Sequence, residues 1–89
     1  MNVFALSIIT PTGKMFEGNI ESLTVPTVEG SLGVLANHAP ILALLKQGTL
    51  NIKQNNTQQN ISIKGGVLEV TKNHQALLLA DEAVVVPNP

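Results

Sequence analysis

Thr49-Leu50-Asn51-Ile52-Lys53-Gln54-Asn55-Asn56-Thr57-Gln58-Gln59-Asn60-Ile61-Ser62-Ile63-Lys64 is the stretch that decides the fold class. Leu50 and Ile52 alternate with Asn51 and Lys53. Beyond a polar tip, Ile61 and Ile63 alternate with Asn60, Ser62 and Lys64. A period of two puts one residue set on each face of a strand. The segment therefore predicts two half-buried strands, Thr49–Gln54 and Gln59–Lys64, joined as a hairpin through Gln54–Gln58.

The same reading extends in both directions. Upstream, Val3–Ile9 sets Phe4, Leu6 and Ile8 on one face, and Thr10-Pro11-Thr12-Gly13 ends it with turn chemistry. Lys14–Glu17 reads as a short strand closed by Gly18-Asn19. Ile20–Val25 follows, with Pro26 confining it to an edge or an end of a sheet. Leu32–Leu35 forms a further short strand. Ala39–Leu45 has no clean period and fits either a strand or a helical turn, although Pro40 and Gly48 around it favour a strand. Downstream, Gly65-Gly66 opens a strand Val67–Val70. Lys72-Asn73 turns it into Gln75–Leu79, and Asp81-Glu82 leads to a last strand, Ala83–Val86, before Pro87-Asn88-Pro89. No apolar helical period extends over a whole helix length. The expectation is an all-β domain over residues 1–89: nine or ten short strands in two face-packed, mostly antiparallel sheets, a sandwich or flattened barrel.

Composition narrows the function. The chain has 89 residues, no cysteine, five lysines and no arginine, and net charge -1. Disulfides and thiolate metal sites are excluded. Nucleic-acid binding calls for a basic stripe with stacking aromatics, and Phe4 and Phe16 are the only aromatics. No uninterrupted apolar run exceeds five residues, far short of the roughly 18 that a membrane span needs. Met1-Asn2-Val3-Phe4 carries no basic region of the signal-peptide kind. A soluble chain is predicted. Charged residues are 12% of the total and apolar ones 44%. A small domain has too little interior to hide so much apolar surface, and an exposed apolar patch marks a partner site.

Chemistry is sparse. His38 and His74 are the only histidines, and a metal site needs several converging ligands. Asp81 and Glu82 are adjacent, a spacing that makes side chains diverge in extended backbone and suits a solvated turn. The serines lack a nucleophile-elbow context. Gly30-Ser31-Leu32-Gly33 is a phosphate-loop look-alike without the Gly-Lys-Ser/Thr ending or a following helix. No catalytic residue, metal ligand or cofactor site is assigned. The unusual segment is Glu29–Leu45, where Gly30, Gly33 and Pro40 would hold a loop that offers one edge to a partner.

That segment carries a resemblance. Glu29-Gly30-Ser31-Leu32-Gly33, followed after a spacer by His38-Ala39-Pro40, is similar to the signature of the epsilon subunit of the rotary F-type ATP synthase. Lys46-Gln47-Gly48-Thr49-Leu50-Asn51-Ile52 resembles a second family element, with Gln47 where proline is usual. Gly65-Gly66-Val67-Leu68-Glu69-Val70 and Leu78-Leu79-Ala80-Asp81-Glu82-Ala83 resemble two more. The four elements in order cover Phe4 to Ala83.

The resemblance implies a non-catalytic rotor subunit on the cytoplasmic side of the membrane, held in a hetero-oligomeric complex without membrane insertion. It couples rotation of the c-ring and gamma subunit to ATP synthesis. Glu29, Gly30, Ser31, Leu32 and Gly33 would form the c-ring-facing loop, with Ser31 where an acidic residue is common. His38, Ala39, Pro40, Ile41, Leu42 and Ala43 would lie on the gamma-facing side. The family's C-terminal helical hairpin has no counterpart before Pro89, so regulation through it and any nucleotide site there are not expected. The rival classes, a carbohydrate-binding sandwich and a small hydrolase, lack exposed aromatics and a nucleophile–base pair respectively.

Overall fold

A computed structural model describes residues 2–87. They form eight strands and no helix: β1 (Phe4–Thr10), β2 (Gly13–Ile20), β3 (Ser22–Thr27), β4 (Gly30–Leu35), β5 (Ile41–Gln54), β6 (Thr57–Val70), β7 (Ala76–Ala80) and β8 (Ala83–Val86). The order across the sheet is β2-β1-β7-β6-β5-β3-β4, with β8 paired to β6 off this path. Every pairing is antiparallel except β1 with β7.

Two strands make this sheet a sandwich. β5 and β6 pair in constant register from Gln54↔Thr57 to Ile41↔Val70. On its other side, β6 pairs with β8 through Asn60–Ile63 and with β7 through Gly66–Val70. Side-chain parity changes between these halves. Leu50, Ile52, Ile61 and Ile63 are buried in one half, and Leu45, Leu68 and Val70 in the other. A strand that keeps its face cannot switch from even to odd positions, so both strands turn a corner near Gln47 and Gly65. Gly65 (φ 99°) and Gly66 (φ 142°) supply the backbone freedom. A Cβ on Gly66 would run into the Leu79 carbonyl, so the corner also needs glycine for close approach. One layer is then β2-β1-β7 with the β6 C-terminal and β5 N-terminal halves. The other is β8 with the remaining halves, β3 and β4. Phe4, Leu6, Ile8, Leu23, Leu50, Ile61, Leu68 and Leu78 belong to the single core between them.

The all-β sandwich expected from the sequence is present, and the strand count differs. Ala39–Leu45 and Thr49–Gln54 are parts of β5, which begins at Ile41. Gln59–Lys64 and Val67–Val70 are parts of β6. In a sequence, a parity break at a corner looks like the end of a strand. Gly18-Asn19 lies inside β2 instead of closing it, with Ala5↔Asn19 and Leu6↔Gly18 paired. The hairpin tip is Asn55-Asn56 alone, both at positive φ (51° and 63°), the conformation of a two-residue type I′ turn.

Of the two places expected for Pro26, an edge or an end, it takes the second: it is the last residue but one of β3. β3 is an interior strand between β4 and β5, not an edge. Pairing to β5 is interrupted between Thr24 and Thr27, so Pro26 occupies an irregularity where no ladder donor is required. Its ring packs over Gly48, where an added Cβ would lie 3.0 Å from Pro26 Cβ and Cγ.

Candidate functional site

The segment 29–33 is a hairpin tip and an edge strand, not a loop of five residues. Thr27 and Gly30 pair across a two-residue turn, Val28-Glu29. Thr27 is buried; its hydroxyl accepts from the Glu29 amide (3.1 Å) and donates to the Gly30 carbonyl (2.6 Å), which fixes the tip. Ser31, Leu32 and Gly33 are already in β4, and Leu32 packs against the core.

The second predicted segment splits in two. His38 is half-buried in the turn after β4, where its amide donates to the Leu35 carbonyl (3.0 Å) and Nδ1–H donates to the Ala39 carbonyl (2.6 Å). It borders an open cavity of about 570 Å³ together with Asn2, Glu21, Gly33 and Leu35. Ala39 and Pro40 are exposed connectors. From Ile41 the chain is β5, where Ile41 and Ala43 turn inward and Leu42 turns outward, 71% exposed. The structure brings Glu29–Leu32 and Ile41–Ala43 together on one groove of about 440 Å³, completed by Val28 and Leu44.

The larger feature runs across the outer face of the layer containing β7, where register puts side chains in rows. Leu44, Val67, Leu79 and Ile9 are successive cross-strand neighbours. The next row is Leu42, Glu69, Leu77 and Ser7. Leu44 is 60% and Leu79 47% exposed, Val28 lies beside the Leu44 end, and its amide donates to the Leu44 carbonyl (3.0 Å). Glu69 is the only charged side chain within these rows; the Lys14–Glu17 ion pair (2.9 Å) lies beyond them on β2. Six aliphatic side chains thus form a contiguous outer face on a rigid sheet, the pattern of a surface made to be covered.

Reading by sequence pointed to the stretch that holds Leu42 and Leu44 and missed Val67, Leu79 and Ile9. The missed signal was the apolar run at both parities: Ile41–Leu45 and Ala76–Ala80 are hydrophobic on both faces, which a strand with one wet face is not.

Comparison with known proteins agrees with this architecture. The family described as "ATP synthase, Delta/Epsilon chain, beta-sandwich domain" matches residues 3–86. The ATP synthase epsilon chain of Alkalihalophilus pseudofirmus is 35% identical over 93% of this chain, and the sodium-ion-specific epsilon chain of Propionigenium modestum 38% over 97%. The chain spans 62% of the length of each; it spans 69% of the Helicobacter pylori (strain 26695) epsilon chain, at 36% identity. Among solved structures, a chain of the Euglena gracilis mitochondrial ATP synthase assembly of OSCP, F1 and c-ring superposes with TM-score 0.89 over 96% of this chain, at 23% identity and 54% of its own length. A chain of the Tetrahymena thermophila mitochondrial ATP synthase central stalk and c-ring gives 0.80 over 91%, at 19% identity and 65% of its own length. These two likenesses are of fold. With the family matched from Val3 to Val86, the four sequence elements in order and the sandwich in place, the chain belongs to the ATP synthase delta/epsilon-chain β-sandwich family.

Proposed function

We propose that the chain is a non-catalytic rotor subunit of a proton-translocating ATP synthase, held between the gamma subunit and the c-ring on the cytoplasmic face of the membrane. The outer face built on Leu42, Leu44, Val67 and Leu79 carries the reading: it is apolar, contiguous and mounted on a body that does not shear easily. A piece that transmits torque must not slip, which calls for dense packing and a wide apolar seat. In this reading the seat meets gamma together with the segment His38–Ala43, and the β3–β4 tip from Glu29 to Gly33 faces the polar loops of the c-ring. No helix among the described residues is long and apolar enough to cross a membrane, so attachment runs through these partners. The two described hairpin-tip side chains that project freely are Val28 and Glu29. A contact with the ring at this tip therefore combines one aliphatic and one carboxylate group.

The test is capture of gamma by the tagged chain. Leu42→Asp puts a charge at the exposed centre of the seat and reduces capture by at least about a hundredfold, with thermal stability within a few degrees of the parent. Retention of gamma by this variant would refute the assignment of the face. Ile41→Asp is a poorer probe, because Ile41 packs against the core and a charge there lowers stability as well as binding.

A further inference from the structure

Four stretches of strand edge have no partner among the described residues: β2, β4, β8 and the first half of β5. An unpaired edge invites another strand, and proteins blunt it with charge, glycine, proline, irregularity or brevity. β2 carries Lys14, Glu17 and Gly18, and its pairing slips near Ile8. β4 carries Gly30 and Gly33. β8 is four residues long and followed by Pro87. Ile41–Leu44 is short and preceded by Pro40, but within it there is no charge, glycine or irregularity: it is regular, uncharged and wholly aliphatic.

Its backbone is poised for pairing. The Leu44 carbonyl points away from β6, because it accepts from the Val28 amide. Alternation along a strand then turns both the N–H and the C=O of Leu42, and the N–H of Leu44, to the same open side. Val28 satisfies one group of this row, and the other three have no partner among the described residues. Immediately beside them lies the groove between β5 and the β3–β4 tip, with Glu29 as its only charged lining residue. Glu69, the cross-strand neighbour of Leu42, adds a second carboxylate nearby.

The geometry points to strand addition: an extended segment of the shaft subunit pairs with the Leu42–Leu44 edge of β5, lies in this groove, and places a lysine or arginine against Glu69. This rests on the rotor reading and specifies how the shaft is held. Backbone pairing sets register and resists sliding along the strand, while the adjoining leucine face supplies buried area. A helix laid on the face would cover the leucines but leave the three backbone groups unpaired.

Amide hydrogen exchange, read residue by residue on the chain alone and in complex with gamma, tests this. The Leu42 and Leu44 amides exchange rapidly in the free chain and slow by at least about tenfold in the complex. In parallel, Leu42→Pro removes the outward donor without touching the ladder to β6, and weakens binding about tenfold relative to Leu42→Val. A complex in which both amides still exchange as in the free chain overturns strand addition and leaves the rotor reading standing. Failure of the unmutated chain to bind gamma overturns both. Should Leu42→Pro fail to fold, the exchange comparison on the unmutated chain decides alone.

Discussion

The outer faces of the two layers are built from the same kind of strand and differ in almost every side chain. One face shows Leu42, Leu44, Val67, Leu77, Leu79 and Ile9. The other shows Thr24, Asn51 and Asn60 in one cross-strand row, and Thr49 and Ser62 in the next. The centre of the second is hydroxyl and amide, with an Asn51–Asn60 side-chain hydrogen bond of 2.7 Å across it, and aliphatic residues stand only at its borders, Val84 and Val86 on β8 and Leu35 on β4. Both faces back onto the same core, so folding does not require the difference. A polar outer face is the ordinary solution for a sheet wet on one side, whereas an aliphatic one adds nothing to the isolated domain and costs solubility. The asymmetry is therefore informative about partners: the face whose centre is aliphatic is the one suited to contact.

This contrast can be broken first by exchanging character. Leu44→Asp with Leu79→Asp reduces gamma binding by about a thousandfold or more in a titration. Thr24→Asp with Ser62→Asp changes it by no more than about twofold, since those positions are exposed on the opposite face. Equal losses from both pairs would show that the faces are not functionally distinct. The second prediction concerns what keeps the faces on opposite sides. Gly66→Ala pushes a Cβ into the Leu79 carbonyl at positive φ. It should cost about 2–4 kcal/mol in denaturant unfolding; a cost below about 1 kcal/mol would mean that the corner tolerates a side chain. The smallest effect belongs to the polar face. Asn51→Ala removes one cross-strand hydrogen bond between half-buried partners and should cost about 1 kcal/mol, with gamma binding unchanged.

The alternation of Thr49–Lys64 and the turn residues at regular intervals made the fold class legible, because burial on one face imposes a period of two. Ala83–Val86 was legible to the residue, bounded as it is by Asp81-Glu82 and Pro87. The corner was not. Gly48 and Gly65-Gly66 read as breaks, since sequence registers the change of face but not the pairing that resumes in the same register on either side of it. Pro26 left two places open for a related reason: proline excludes a ladder bond at one position, and an irregularity near the end of an interior strand satisfies that as well as an edge does. The segments around His38 and Glu29 were singled out by residue type. The rows joining Leu44 to Ile9 bring together residues far apart in the chain, and only strand order puts them side by side.

The parallel pairing of β1 with β7 has a consequence for how the molecule is made. Residues Leu6 to Ile9 meet Ala76 to Leu79, so β1 waits for a strand made much later. The β5–β6 hairpin closes from a two-residue turn and can zip locally, but β1 with its β2 companion must be held until β7 arrives, and distant pairings of this kind slow folding. During translation the apolar side chains of Phe4, Leu6 and Ile8 have only β2 to lean on. Cotranslational folding of this small sandwich is thus postponed until β7 has been made, and the core closes only then.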